Sequence, residues 1–236
     1  MKSLSAQMNN LRKQYREIFL EAGQQIQNEI EKIKPQNPCE KCKKSVCNLK
    51  GEIFEKFPPN CVYKNWQKDI LKYLQEDVAK KIYEKWIKML EYRKEFSCSS
   101  CATCCKLACS EFSYEELKQK AKEGDNFANQ FVSIFVPYKT KEEAQKIYPE
   151  YIELLEEKLG KDEKVYFYFC PKLNENNRCS DYKNRPQICR DFPDNPLSML
   201  PKACGFSKWK EEIEPTALML HATLEIVDFY KNKIII

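Results

Sequence analysis

The chain of 236 residues contains one histidine, His221, and five glycines. A lone histidine excludes a zinc hydrolase built on several imidazoles and a catalytic array that spreads its work over several histidines. No G-x-G-x-x-G follows a strand and no G-x-x-x-x-G-K-[ST] occurs, so nucleotide binding has no support. The radical S-adenosylmethionine spacing C-x3-C-x2-C is missing as well: Cys101 and Cys105 stand the right distance apart, but position 108 is Ala108. No apolar run approaches the roughly 18 residues of a membrane helix. Residues 1–34 lack the apolar stretch of about 7–15 residues of a signal peptide, which predicts a cytoplasmic protein with no membrane association. The formal net charge of +5 is too mild to imply nucleic acid.

What the chain does have is thirteen cysteines. Its length suits one or two domains and is ample for an ordinary hydrophobic core, so thiols need not hold the fold together. In a reducing compartment, clustered cysteines are metal ligands or redox groups more often than structural disulfides.

The periodicity predicts a mainly α fold with a small irregular or β element, a helical scaffold around a loop-rich cysteine metal site. Leu4, Met8, Leu11, Tyr15, Ile18, Ala22, Ile26, Ile30 and Ile33 step by three and four residues, a helical stripe that ends at Pro35. Such a stripe covers the protein's own core or, being close to heptad-spaced, docks a protein partner. Trp66, Ile70, Leu74, Val78, Ile82, Trp86 and Met89 mark a second long helix over about 66–92. Ser113 with Glu116 reads as a capping box, and Thr140 with Glu143 repeats it for a helix that breaks at Pro149. Val165 to Phe169 is the clearest strand, and residues 209–230 close the chain as a helix. Composition divides the chain into residues 1–62, a helix plus a cysteine-containing loop, and 63–236, a helical domain with the main cysteine cluster. His221, in an apolar helical stretch, reads as a satisfied histidine rather than a ligand.

The central signal is Cys98-x2-Cys101-x2-Cys104-Cys105 with Cys170-Pro171, Cys179, Cys189 and Cys204 downstream. Three thiolates at successive x2 spacings suit one face of a cubane iron–sulfur cluster, with a distant Cys-Pro as fourth ligand. Cys98, Cys101, Cys104 and Cys170 fit that pattern, which points to a [4Fe-4S] centre. Zinc, the alternative, usually takes two Cys-x2-Cys pairs. Adjacent residues point apart, so Cys105 is expected to serve another centre with Cys179, Cys189 or Cys204. Four thiolates leave excess negative charge, which Arg190, Arg178 or Lys172 would offset; Arg185 and Arg190 are the positions assigned to the cofactor.

The run from Cys98 to Cys105, the Cys170-Pro171-Lys172-Leu173 stretch, and Cys179 through Arg185-Pro186 to Cys189-Arg190-Asp191-Phe192-Pro193 resemble the YkgJ family of CxxCxxCC proteins, described as a zinc- or iron-chelating domain. The resemblance spans about residues 96–206. It implies metal binding through these cysteines and names no reaction. Where many members have glycine in the first loop this chain has Ala102. A fainter similarity is to flagellin lysine N-methylases, which also carry a cysteine cluster.

Outside that stretch, Cys39, Cys42, Cys47 and Cys61 form a second candidate site for zinc or another cluster. Cys109 matches no position of either set and reads as a buried small hydrophobe. The expected function is that of an iron–sulfur redox or accessory module. The alternatives are a zinc-stabilised interaction protein and a metal-dependent protein-modifying enzyme. No catalytic residue or substrate is named by the sequence.

Overall fold

The computed structural model describes residues 4–36, 50–158, 164–198 and 200–235. Along the chain run α1 (Leu4–Lys32), α2 (Val62–Lys72), a π-helical stretch (Tyr73–Ala79), α3 (Lys80–Tyr92), α4 (Thr103–Lys106), β1 (Ala108–Ser110), α5 (Tyr114–Lys122) and α6 (Asn126–Ile134). There follow β2 (Val136–Pro137), α7 (Lys141–Gln145), α8 (Pro149–Lys158), β3 (Tyr166–Phe169), α9 (Gln187–Asp191) and α10 (Ser207–Lys233). The chain is 61% helical with one three-stranded antiparallel sheet, as a mainly α chain with a small β element requires.

Contacts divide the chain into two compact units. One joins Met1–Asn9 to Lys94–Glu211; the other joins Asn10–Arg93 to Glu212–Ile236. Both are discontinuous in sequence, so a boundary drawn at residue 62 coincides with neither edge. The reason lies in the core of the second unit. Ala22, Ile26 and Ile30, spaced by four on α1, are buried with Phe57, Tyr63, Trp66, Ile70 and Leu74 and with Ile226, Val227 and Ile234 near the C-terminus. Sequence-distant helices thus share one apolar cluster, the expected use of an i, i+4 face. Trp66 donates its indole N–H to the Ile30 carbonyl at 3.2 Å. Fully buried Gln67 donates to the carbonyls of Ile53 and Glu55 at 2.8 and 2.9 Å, pinning the loop that precedes α2. His221 is exposed, with Nδ1 3.0 Å from the Tyr15 hydroxyl, which donates to Glu225 at 2.8 Å. It is a satisfied surface histidine, as expected.

In the first unit β3 is central, flanked by β1 and β2. Ala108 pairs with Tyr168, and Val136 with Phe169. Tyr168, fully buried, donates its hydroxyl to the Phe112 carbonyl at 2.7 Å. The capping box opening α5 is complete: the Ser113 N–H donates to Glu116 Oε2 at 2.7 Å, and the Glu116 N–H donates to Ser113 Oγ at 3.3 Å. Helix α6, capped by Asp125 through the Ala128 N–H at 2.9 Å, has no counterpart in the sequence reading. Its apolar residues, Phe127, Phe131, Val132 and Ile134, are aromatic or β-branched, types that favour strands. Burial of Ala128, Phe131 and Ile134 against Leu117 and Tyr168 overrides that preference. No helix among the described residues is long and apolar enough to cross a membrane. For the site, the important consequence is positional: pairing of β1 with β3 sets α4, just before β1, beside Cys170, just after β3.

Candidate metal centre

The loop from Cys98 to Cys105 is shaped by two residues in the left-handed region, Ser100 at φ 58° and Ala102 at φ 63°. Each reverses the chain locally, which lets three cysteines cluster on one tight turn. Ala102 then opens α4, its carbonyl accepting the N–H groups of Cys105 at 3.0 Å and Lys106 at 2.8 Å. That conformation favours glycine: a Cβ there costs about 1–2 kcal/mol. Ala102 is also buried, so its methyl returns about 0.8 kcal/mol. Ala102→Gly is therefore expected to leave stability within about 1 kcal/mol of wild type. Ala102→Val, β-branched and larger, should lose about 3 kcal/mol in urea unfolding.

Cys204 joins this loop. Ser99 Oγ donates to the Ala203 carbonyl at 2.6 Å, and a Cβ on Gly205 would lie 1.9 Å from the Ser97 carbonyl oxygen and 3.0 Å from the Ser99 nitrogen. The 203–205 turn is thus pressed against the backbone of residues 97–99, and the Cys204 and Cys101 thiols hydrogen-bond. Cys170 lies elsewhere, against Cys105: its N–H donates to the Cys105 carbonyl at 2.7 Å. Cys170, Cys105 and Cys189 pack in one apolar cluster with Phe131 and Tyr168. Cys179 is held near Cys170 by a bridge to Leu173 and by Ser180, whose N–H and hydroxyl donate to the Lys172 carbonyl at 2.8 and 2.9 Å. The structure therefore places Cys204 beside the first loop and Cys170 beside Cys105. Sequence spacing cannot reveal this arrangement, because it follows from the β1–β3 pairing and the Gly205 contact.

The thiols repel one another's ionised forms. Within the hydrogen-bonded pair Cys104–Cys105, the bond itself favours the Cys105 thiolate, with Arg185 assisting, while Cys104 stays protonated as donor and is held up further by burial and by Cys105, Cys101 and Cys98. Burial raises Cys189 to about 11, reinforced by Cys105 and Cys170 and opposed by Arg185. Cys170 is raised by burial and by the Cys105 and Cys179 thiols. Cys204 is raised by burial and by Cys101 and Cys98. A bound cation reverses this penalty for every thiol it touches, so the donor set fits a thiophilic metal. The thiols are near neighbours rather than a closed coordination sphere: among the described residues no three Cys, His, Asp or Glu side chains already stand in such an array.

The cations are divided in their placement. Arg185 stacks on Tyr182, with Cζ 3.7 Å from the ring centroid, and acts on Cys105 and Cys189. Lys172, paired with Asp181 at 2.6 Å, feels Cys170 and Cys179. Arg190 instead donates to the carbonyls of Arg185 at 2.6 Å and Lys183 at 3.3 Å, fastening the turn before α9. Arg178 contributes its backbone N–H to Asn174 at 2.9 Å. Cys109, expected to be buried, is instead exposed at the middle of the edge strand β1, its sulfur 3.6 Å from the Tyr151 hydroxyl. Cys39, Cys42 and Cys47 lie outside the described residues; Cys61 is half-buried at the start of α2.

Three supports escaped the sequence reading. Gln130 Oε1 accepts the Ile188 N–H at 3.0 Å, Tyr138 donates its hydroxyl to the Lys106 carbonyl, and Gly205 allows the close approach described above. Only Gly205 leaves a trace in the sequence, as a scarce residue directly after a cysteine.

Residues 97–212 match the model of the family CxxCxxCC, "Putative zinc- or iron-chelating domain". The matched segment is nearly the Lys94–Glu211 part of the first compact unit. It supports a metal-chelating cysteine domain there. No curated protein and no solved structure matches the chain.

Proposed function

We propose that the 97–212 segment binds iron as an iron–sulfur centre through its clustered cysteines, and that the chain works as a redox or accessory module. The observation that carries this reading is the first loop's amide-to-sulfur bond, in which the Ser100 N–H donates to Cys98 Sγ at 3.4 Å. The backbone amides of Lys172 and Phe206, likewise two residues beyond a cysteine, favour the thiolates of Cys170 and Cys204. Such bonds favour the thiolate and tune a thiolate-bound centre. Iron is favoured over zinc by the three cysteines at successive x2 spacings on one loop. Cys98, Cys101, Cys104, Cys105, Cys170, Cys179, Cys189 and Cys204 are the proposed ligands. Arg185 and Lys172 offset the charge that accumulates around Cys105, Cys170, Cys179 and Cys189. A bound cluster supplies a one-electron couple; the protein supplies the shaped loops and the charge balance.

Anaerobic purification followed by visible absorption and metal analysis tests this. The expected product is brown and carries iron with acid-labile sulfide, and Cys101→Ser should strip most of the visible absorption. A colourless protein with stoichiometric zinc would sink the iron reading in favour of a zinc-stabilised interaction protein. An unchanged spectrum in Cys101→Ser would refute the ligand assignment.

A further inference from the structure

The geometry points to two separate four-thiol metal sites in the cysteine domain: one made by Cys98, Cys101, Cys104 and Cys204, the other by Cys105, Cys170, Cys179 and Cys189. This rests on the metal-binding reading above and deepens it, because the competing arrangement of the same eight thiols is one shared centre with spare ligands.

The division follows the backbone. Cys204 is tied to the first loop by the Ser99–Ala203 hydrogen bond and by the contact of Gly205 with Ser97. Cys170 is tied to Cys105 by a 2.7 Å backbone bond, and Cys179 is fastened to the Cys170 turn through Leu173 and Ser180. Cys189 enters the same apolar cluster as Cys105 and Cys170. The electrostatic neighbours repeat the division: Cys204 feels Cys101 and Cys98, whereas Cys189 feels Cys105, Cys170 and Cys179.

The two sets meet only at Cys104 and Cys105, consecutive residues of α4. Their thiols hydrogen-bond, so the two sets abut there; Cys104 otherwise has Cys101 and Cys98 as neighbours, and Cys105 has Cys170 and Cys189. Arg185 acts on Cys105 and Cys189 and Lys172 lies beside Cys170 and Cys179, whereas the charged neighbours of Cys104 and Cys204 are other thiols. The sites therefore differ in charge environment as well as in ligands. A thiophilic divalent ion or a cubane cluster suits either set by donor type.

The experiment is a cobalt(II) titration of the full-length apoprotein, anaerobic and reduced, followed by visible absorption and native mass spectrometry. A Cys39→Ser/Cys42→Ser background removes the N-terminal set from the count. Two cobalt ions per chain are expected. Cys98→Ser and Cys179→Ser should each remove one, and the two together should remove both. Far-UV circular dichroism checks that each variant folds; Cys204→Ser and Cys189→Ser replace any that does not. A single bound ion lost with a substitution in either set, or two ions lost together with one substitution, would overturn the two-site division and leave the metal-binding reading standing. No bound metal in the unsubstituted chain, with cobalt, zinc or iron and sulfide, would overturn that reading and this division with it.

Discussion

Gly205→Ala is expected to destabilise the cysteine domain by about 3 kcal/mol and to lower its metal content in step. The added Cβ would sit 1.9 Å from the Ser97 carbonyl oxygen and 3.1 Å from its carbonyl carbon. Neither atom belongs to a side chain that can swing away. Relief requires the 203–205 turn to back off the 97–99 segment, which stretches the Ser99–Ala203 hydrogen bond and carries Cys204 away from Cys101. Urea unfolding of the variant, with bound metal measured alongside, reads both effects. Gly23→Ala is the matched control: its new Cβ would meet only Ile226 Cδ1, at an ordinary 3.8 Å, and a helical Gly→Ala change gains up to about 1 kcal/mol. If Gly205→Ala unfolds at the wild-type urea midpoint, the close approach of the two loops is wrong.

Trp66→Ala should cost the other unit about 3–5 kcal/mol, the range for deleting a large buried aromatic. Trp66 is 2% exposed, stands edge-on to Tyr63 at 5.9 Å between centroids, and satisfies the Ile30 carbonyl of α1. Truncation removes packing from three helices and orphans that carbonyl. Trp66→Phe keeps most of the apolar volume but not the donor, so more than half of the loss should return. Equilibrium denaturation followed by far-UV circular dichroism ranks the three proteins. Similar losses for Ala and Phe would mean that the hydrogen bond, not the packing, dominates.

What could be read from the chain was local. The Ser113–Glu116 box opens α5 because both partners lie within one turn, and the aromatic run at 166–169 is the central strand because four successive aromatic residues favour extended backbone. The stripe on α1 was legible for the same reason. Its last member was not: Ile33 is 46% exposed, past the point where the core ends. The cysteines as a set were also legible, since x2 spacing is a short-range property. Their grouping was legible only in part: Cys105 was set apart from Cys98, Cys101 and Cys104. That Cys204 rather than Cys170 lies beside the first loop depends on a sheet pairing and on a glycine contact, both between residues far apart in sequence. Ala102 sits between these cases. Its departure from glycine was visible at once, but the reason the position prefers glycine is its backbone angle, φ 63°.

The π-helical stretch at Tyr73–Ala79 acts on the whole run from Val62 to Tyr92 as a phase correction. In an ideal α-helix a side chain four positions on is rotated by about 40°, so a row of four-residue steps winds steadily around the rod. Trp66, Ile70, Leu74, Val78 and Ile82 form such a row, and by its end the accumulated rotation would reach roughly 160°. The wider π turn, with its i→i+5 bonding, advances less per residue and takes back part of that rotation. Ile82 and Met89 can then be buried, at 8% and 7% exposure, along the same rod as Trp66 and Ile70. Losing one residue from Tyr73–Ala79 would close the turn to ordinary α geometry and leave the faces after it at nearly the same bearing, because the wider turn absorbs about one residue. Closing it with every residue kept would instead swing everything after it by about 100° and carry the exposed Lys81 to the bearing that Ile82 occupies.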